Sequence, residues 1–247
     1  MALLQLQHVT KRFGGLIAVD RVSLDVHAGE LLAIVGPNGA GKTTLFNVIS
    51  GALLPDAGHV FFEDRDISAL PAHRRAPLGI GRTFQIPRPF SAASVRENVA
   101  IGAMFGTLAR EVTVDDAMGI ADHYLQRVGL QMHRDKAAGT LTPGEKKLLE
   151  LARALAMQPK LLLLDEVMAG MNPRDIDQIV ALLKRLKHEE VHLSIIAMVE
   201  HIMRAVVGFA ERVIVMHQGA KLVDAPTAEA LSDPRVVEVY LGYPKGG

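Results

Sequence analysis

The stretch GPNGAGKTT, residues 36–44, sets Gly36, Gly41, Lys42 and Thr43 at the fixed positions of a phosphate-cradling loop. An apolar segment with the pattern of a buried strand, ELLAIVG, runs into it, and KTTLFNVIS leaves it with helical character. Glycines let backbone N–H groups curl around a β-phosphate, and the start of the helix adds a favourable dipole. Gly36, Pro37, Asn38, Gly39, Ala40, Gly41, Lys42, Thr43 and Thr44 are therefore the expected nucleotide-phosphate cradle. Lys42 is expected to reach the β- and γ-phosphates, and the Thr43 hydroxyl to ligate Mg²⁺. A merely glycine-rich turn would give Lys and Thr no structural reason to stand there.

A second group of chemistry-bearing residues closes LLLLDE, where Asp165 ends an apolar strand and Glu166 follows directly. Taken alone, a leucine run ending in two acids is a strand reaching solvent. Downstream of a phosphate loop, the same carboxylates suit a Mg²⁺ water shell at Asp165 and the polarisation of an attacking water at Glu166. An Asn-Lys-x-Asp sequence for reading guanine is missing, which disfavours GTP. The third group is LTPGEKKLLELARAL, residues 141–155. Thr142 and Glu145 have the spacing of a capping box, and Pro143 falls at the first helical position, where its missing N–H costs nothing. Leu148, Leu151, Ala152 and Leu155 then repeat along one helical face.

Positioning these groups requires a sheet. With 247 residues, 49% of them hydrophobic, the chain can bury one large core or a core with an inserted subdomain. Acidic and basic residues balance at 27 each, so no basic excess points to nucleic acid. The absence of cysteine rules out disulfides and thiolate metal sites and fits a reducing compartment. The N-terminal residues lack the build of a signal peptide, and no apolar run reaches the ~18 residues of a membrane span. LLQLQHV, RVSLDVH and HVFFEDRDI read as strands of an N-terminal β-rich layer. Helices are expected near residues 95–104 and 115–128, in the segment from 141, and in PRDIDQIVALLKRLKHE. LSIIAMVE and RVIVMHQG read as further strands, and TAEALSDPRVVEVYLG as short helices. Strands alternating with helices imply a largely parallel sheet covered on both faces.

The order of the phosphate loop, GRTFQ, LTPGE…ARAL, LLLLDE and VEH resembles the nucleotide-binding subunit of an ABC transporter over essentially the whole chain. The resemblance implies an α/β P-loop core of ABC ATPase type, with an N-terminal antiparallel β layer and an inserted α-helical subdomain. It implies a single ATP-binding domain over residues 1–247: β layer and P-loop core to 85, helical subdomain 86–157, and the rest of the core beyond. ATP and Mg²⁺ are the implied cofactors. LTPGE stands where the family carries its Leu-Ser-Gly-Gly-Gln signature, so Thr142, Gly144 and Glu145 are implied to close in trans over ATP on a facing subunit. Phe13 falls where an aromatic stacks on adenine, with Phe in place of the usual Tyr. Gln85 matches the residue that contacts Mg²⁺ or water and senses the membrane subunit. His201 matches the switch histidine at the γ-phosphate. AGMNP occupies the loop that crosses the dimer interface, with Asn172 where an Asp is common. GIGRTFQIPRPFSAASVRENVAIG and the short C-terminal VEVYLGY resemble the ATPases of branched-chain amino-acid importers.

The implied partners are integral membrane permease subunits, a second ATP-binding subunit placed head to tail, and indirectly a solute-binding protein. The implied location is peripheral, on the cytoplasmic face of the inner membrane. An exporter cassette of the lipopolysaccharide type and a soluble ABC-type ATPase are the rival readings. HEEVH, residues 188–192, satisfies the zinc-protease pattern, but the second histidine leads into a β-branched run, so a solvated helix end is expected instead. Arg74, Arg75, Arg82, Arg88 and Arg96 form an acid-free basic segment. It is expected either to be a solvated face or, through Arg82 or Arg88, to meet a membrane subunit or anionic headgroups.

Overall fold

Successive strand side chains point to opposite faces of a sheet, and two strands here use both faces fully. In β3 (Leu31–Val35), Leu31, Ala33 and Val35 enter one apolar core while Leu32 and Ile34 enter another. In β7 (Leu161–Asp165), Leu162 and Leu164 join the first core, and Leu161 and Leu163 the second. A strand buried on both faces belongs in the middle of a covered parallel sheet. The computed structural model describes residues 2–109, 111–189, 193–198 and 203–241.

The central sheet has six strands in the order β10 (Ala220–Pro226), β9 (Arg212–His217), β3, β8 (Ser194–Met198), β7 and β6 (Ile80–Arg82). All neighbours are parallel except the β9–β10 hairpin. One face carries an antiparallel sheet ordered β2 (Leu16–His27), β1 (Ala2–Phe13), β4 (Ala57–Phe62) and β5 (Arg65–Asp66). Leu4, Leu6, Val9, Val22 and Leu24 of that layer pack with Leu45, Phe46, Val48 and Ile49 of α1 (Lys42–Ser50). The other face is covered by helices, among them α3 (Val95–Phe105), α4 (Val114–Arg127), α5 (Pro143–Ala156) and α6 (Pro173–Glu189). α3, α4 and α5 pack against one another. Among the described residues no helix is long and apolar enough to cross a membrane.

The structure departs from the sequence reading at several elements. HVFFEDRDI is two strands, because Glu63 and Asp64 take positive φ values of 48° and 61° and turn β4 back onto β5. This is the backbone of a two-residue hairpin loop, whose twist matches the strands that it joins. β6, β10 and a short α7 (Met203–Phe209) also escape the sequence reading. β6 is only three residues long and contains Gly81, so its strand character comes from pairing with β7 rather than from an alternation of its own. α2 (Ala72–Arg75) is a single turn that carries the fully buried Arg75 beneath α1.

Candidate nucleotide site

The phosphate loop leaves β3 under tight steric control. Gly36 has φ 152°, and a Cβ there would stand 2.2 Å from the carbonyl oxygen of Met216. Gly41 has φ 97°, and its Cβ would lie 2.1 Å from the Ala18 oxygen. Any side chain at either place forces the backbone apart. The loop is braced from outside: Gly219 N–H donates to Ala40 O at 3.0 Å, and Asp20 N–H to Gly219 O at 2.8 Å. Lys42 is buried, and its Nζ donates to the carbonyls of Gly36 (2.7 Å) and Pro37 (3.0 Å). α1 has Gly41 as its N-cap, with no side-chain cap, and points its N-terminal end at the loop, the arrangement that suits an anion.

Beside the loop lies a cleft of about 450 Å³, lined by Phe13, Leu16, Ile17, residues 39–44 and Gln218. Its size and mixed lining suit a small organic ligand with a phosphate tail. Phe13 is half-exposed on one wall, with the Lys11 ammonium 5.9 Å from its ring centroid. Thr43 and Thr44 lie at the foot of the same cleft.

Asp165 and Glu166 stand at the carboxyl end of β7, two strands from β3, on the edge where open parallel sheets take ligands. Asp165 is buried, and its Oδ2 accepts from Arg82 Nη2 at 2.7 Å. Its Oδ1 is buried with no hydrogen-bond partner among the described residues. A buried carboxylate oxygen with nothing to accept is costly unless a cation or its water completes the site, so the position fits a Mg²⁺ shell. Glu166 has φ 48°, a left-handed backbone that costs a non-glycine residue on the order of 1–3 kcal/mol and concentrates at functional sites. Gln85 Nε2 donates to Glu166 Oε2 at 2.5 Å, joining two residues that sequence reasoning placed separately. Lys147 of α5 donates to the Ala169 carbonyl behind this turn. Burial pulls the Lys147 ammonium below its ordinary range, and the nearby Glu166 charge opposes that shift.

The start of α5 is a complete capping box. Thr142 Oγ1 accepts from Glu145 N–H at 3.3 Å, and Thr142 N–H donates to Glu145 Oε2 at 2.7 Å. The Thr142 hydroxyl also donates to that carboxylate at 2.8 Å. Thr142, Gly144 and Glu145 line a cleft of about 570 Å³ with Leu148, Met171 and Ile179. None of these residues lines the phosphate-loop cleft, so the two clefts are separate. Asn172 caps α6, its Oδ1 accepting from the N–H groups of Arg174 and Asp175, both at 3.0 Å. His201 and the second histidine of HEEVH, His192, lie outside the described residues.

The arginine segment is not one solvated face. Arg75 is fully buried and donates to the carbonyls of Leu70, Val48 and Ile49 at 2.7–2.9 Å, closing the C-terminal end of α1. Burial lowers its pKa to about 10, which leaves it charged at neutral pH. Arg82 is paired inside the protein with Asp165, so the acid that it was expected to meet on a membrane subunit is supplied by this chain, while its side chain also borders the groove lined by Phe84, Arg88 and Phe90. Arg96 pairs with Asp122 at 2.6 Å. Arg88 remains exposed, while its backbone N–H donates to the buried Glu150 of α5 at 3.0 Å. Sequence reasoning missed Arg82, Lys147 and Glu150 as parts of this site. Each has a partner far along the chain that no local spacing announces, although Glu150 also pairs with the nearby Arg153.

The ABC transporter family model matches residues 19–169. The chain is 36% identical to the high-affinity branched-chain amino acid transport ATP-binding protein BraF of Pseudomonas aeruginosa, over 97% of this chain and 98% of that one. It is 37% identical to the lipopolysaccharide export system ATP-binding protein LptB of Acidithiobacillus ferridurans, over 97% of each. A crystal structure of an ATP-binding cassette of an ABC transporter in its ADP conformation superposes with a TM-score of 0.84 at 32% identity, covering 98% of this chain and 99% of that one. The family model covers more than half of the chain and the relatives at 36–37% identity match 97% of it: this protein belongs to the ABC transporter family.

Proposed function

We propose that this chain is the ATP-hydrolysing subunit of an importer, driving uptake of branched-chain amino acids or a related small solute through separate membrane subunits. The observation that carries the ATPase reading is the meeting of Gln85 and Glu166 beside Asp165, at the sheet edge that also bears the phosphate loop. Phe13 offers an aromatic face to adenine, and residues 36–44 offer N–H groups and Lys42 to the phosphates. Thr43, Asp165 and Gln85 would hold Mg²⁺, which when bound neutralises charge on the phosphate oxygens. Glu166 accepts a proton from the attacking water, and Gln85 orients that carboxylate. His201, which lies outside the described residues, is given the γ-phosphate role by the family resemblance alone.

Because the start of α5 borders a different cleft, Thr142, Gly144 and Glu145 serve ATP held by a second ATP-binding subunit placed head to tail. ATP closes the pair and hydrolysis reopens it. A groove of about 440 Å³ between Phe84, Arg88, Phe90, Ile101, Phe105 and Arg153 suits a cytoplasmic helix of a permease. It combines exposed aromatic rings with three guanidinium groups, those of Arg82, Arg88 and Arg153. The protein is then peripheral to the cytoplasmic face of the inner membrane, is fed through a solute-binding protein, and has no nucleic-acid partner.

Import is supported by BraF and by the probable branched-chain amino acid transport protein LivG of Archaeoglobus fulgidus, at 37% identity. Lipopolysaccharide export is the second reading, favoured by the equal identity to LptB. Uptake of radiolabelled leucine by cells lacking the gene separates the two. Import predicts that uptake falls and returns with the wild-type chain but not with Glu166→Gln. Unchanged uptake together with lost outer-surface lipopolysaccharide favours the exporter.

A further inference from the structure

Arg82 ends β6 with a side chain only 9% exposed, and its hydrogen bonds join an acid of the proposed nucleotide site to the helix that follows the phosphate loop. Nη2 donates to Asp165 Oδ2 at 2.7 Å. Nη1 donates to Asn47 Oδ1 at 2.7 Å and to Ser50 Oγ at 2.9 Å, both on α1, the helix that the phosphate loop begins. On its outer side the guanidinium lies 5.3 Å from the ring centroid of Phe84, which screens it from water. Both terminal nitrogens of the fork are used, while Nε has no hydrogen-bond partner among the described residues: one arm holds the strand that ends in Asp165, and the other holds the helix that starts at Lys42.

We propose that Arg82 is a positioning residue for the metal site, a resident counter-ion that holds Asp165 by Oδ2 and leaves the buried Oδ1 without a hydrogen-bond partner among the described residues. The proposal rests on the reading of Asp165 as the Mg²⁺-holding carboxylate. A buried carboxylate without a partner is strongly unfavourable, so Arg82 makes the folded site independent of metal for its charge balance. The same guanidinium repels a second cation that shares its carboxylate, so it also sets how tightly Mg²⁺ is held. Loss of the charge leaves Mg²⁺ as the remaining partner for Asp165. Metal dependence then rises.

The test uses the full chain with a fluorescent N-methylanthraniloyl-ATP, titrating Mg²⁺ and recording thermal unfolding in EDTA and in Mg²⁺. Arg82→Met should lower the half-saturating Mg²⁺ roughly three- to tenfold, as expected for removal of a nearby like charge. It should melt earlier in EDTA and recover part of that loss with Mg²⁺ and nucleotide. Arg82→Lys, which keeps the charge, should return the Mg²⁺ half-point towards wild type. Where the Met variant does not fold, Arg82→Gln, neutral but still able to donate to Asp165, carries the same expectation. An unchanged Mg²⁺ half-point, with equal loss of melting temperature in both conditions, would show that Arg82 only braces the fold. Asp165→Asn separates the two failures. If it leaves nucleotide binding and Mg²⁺ dependence unaltered, Asp165 is not the metal holder and the proposal falls with that reading. If it abolishes Mg²⁺ dependence while Arg82→Met changes nothing, the role of Arg82 alone is overturned.

Discussion

Glu166 takes a left-handed backbone conformation immediately after a strand, and its carboxylate meets Gln85. A non-glycine residue held there carries a conformational cost that packing alone does not require, since its side chain is only partly buried. The cost is repaid by aiming a carboxylate at the mouth of the site rather than along the strand. Glu166→Gln preserves the shape of the side chain and removes its basicity. Its ATPase turnover should fall by at least roughly 10²-fold, while affinity for ATP stays within a few-fold of wild type. The closed ATP-bound pair should accumulate in the same variant, because the event that reopens it is lost. Steady-state turnover beside equilibrium nucleotide binding reads both effects, and near-normal turnover would remove Glu166 from the role of base.

Three helices that cover the central sheet begin with the same device. Ser94 with Glu97, Thr113 with Asp116, and Thr142 with Glu145 are complete capping boxes at the starts of α3, α4 and α5. The bonds hold all three carboxylates below their ordinary range. The N-cap backbone N–H is the larger cause at Glu97 and Glu145, and the Thr113 hydroxyl at Asp116. A carboxylate whose folded value is depressed stabilises the fold fully above its unfolded value, and that stability is lost as pH falls through the folded one. Urea midpoints should therefore drop as pH falls below about 5. A variant combining Glu97→Gln, Asp116→Asn and Glu145→Gln should lose less of its midpoint over the same range. An acid slope equal to that of wild type would place the titration elsewhere. For α5 the cap also orients the helix start that borders the second cleft, so Thr142→Val should cost about 1 kcal/mol of stability and weaken ATP-driven pairing.

Across the whole molecule, three exposed phenylalanines gather on one side of the helical cover. Phe84, Phe90 and Phe105 are more than half exposed, and with Arg88 and Arg153 they border a single groove. The Arg153 guanidinium lies 5.9 Å from the Phe90 ring centroid and also pairs with the buried Glu150 at 2.5 Å. Glu150 in turn accepts from the N–H of Arg88, so the groove wall and α5 share one buried carboxylate. Contiguous apolar surface with charged edges marks a contact site rather than ordinary surface. Phe90→Ala and Arg88→Glu should each reduce recovery of the chain with its membrane subunits by about tenfold or more, the scale of losing a central anchor. Nucleotide binding by the isolated chain should be unchanged. Co-purification from detergent-solubilised membranes measures the first, and fluorescent-nucleotide titration the second. Full recovery of both variants would move the permease contact elsewhere.

What the sequence by itself determined was the chemistry carried by consecutive residues. The phosphate loop, the Asp165–Glu166 pair and the cap at Thr142 are legible because each function is executed by backbone and side chains within a few positions. The burial of β3 and β7 on both faces was legible for the same reason, since an unbroken apolar run shows itself locally. The tertiary structure alone decided which distant groups meet. Arg82 reaches Asp165 across 83 positions, Gln85 reaches Glu166 across 81, and Arg88 reaches Glu150 across 62. These meetings follow from sheet order: β6 lies beside β7, so residues leaving β6 arrive at the acids that end β7. β6 has too few residues for a period, and its place is set by a neighbour that it meets only in the folded sheet. An arginine in an acid-free segment reads as solvated because its counter-ion is absent locally. The fold supplies that counter-ion from another strand, and a charge that reads as surface becomes part of the core.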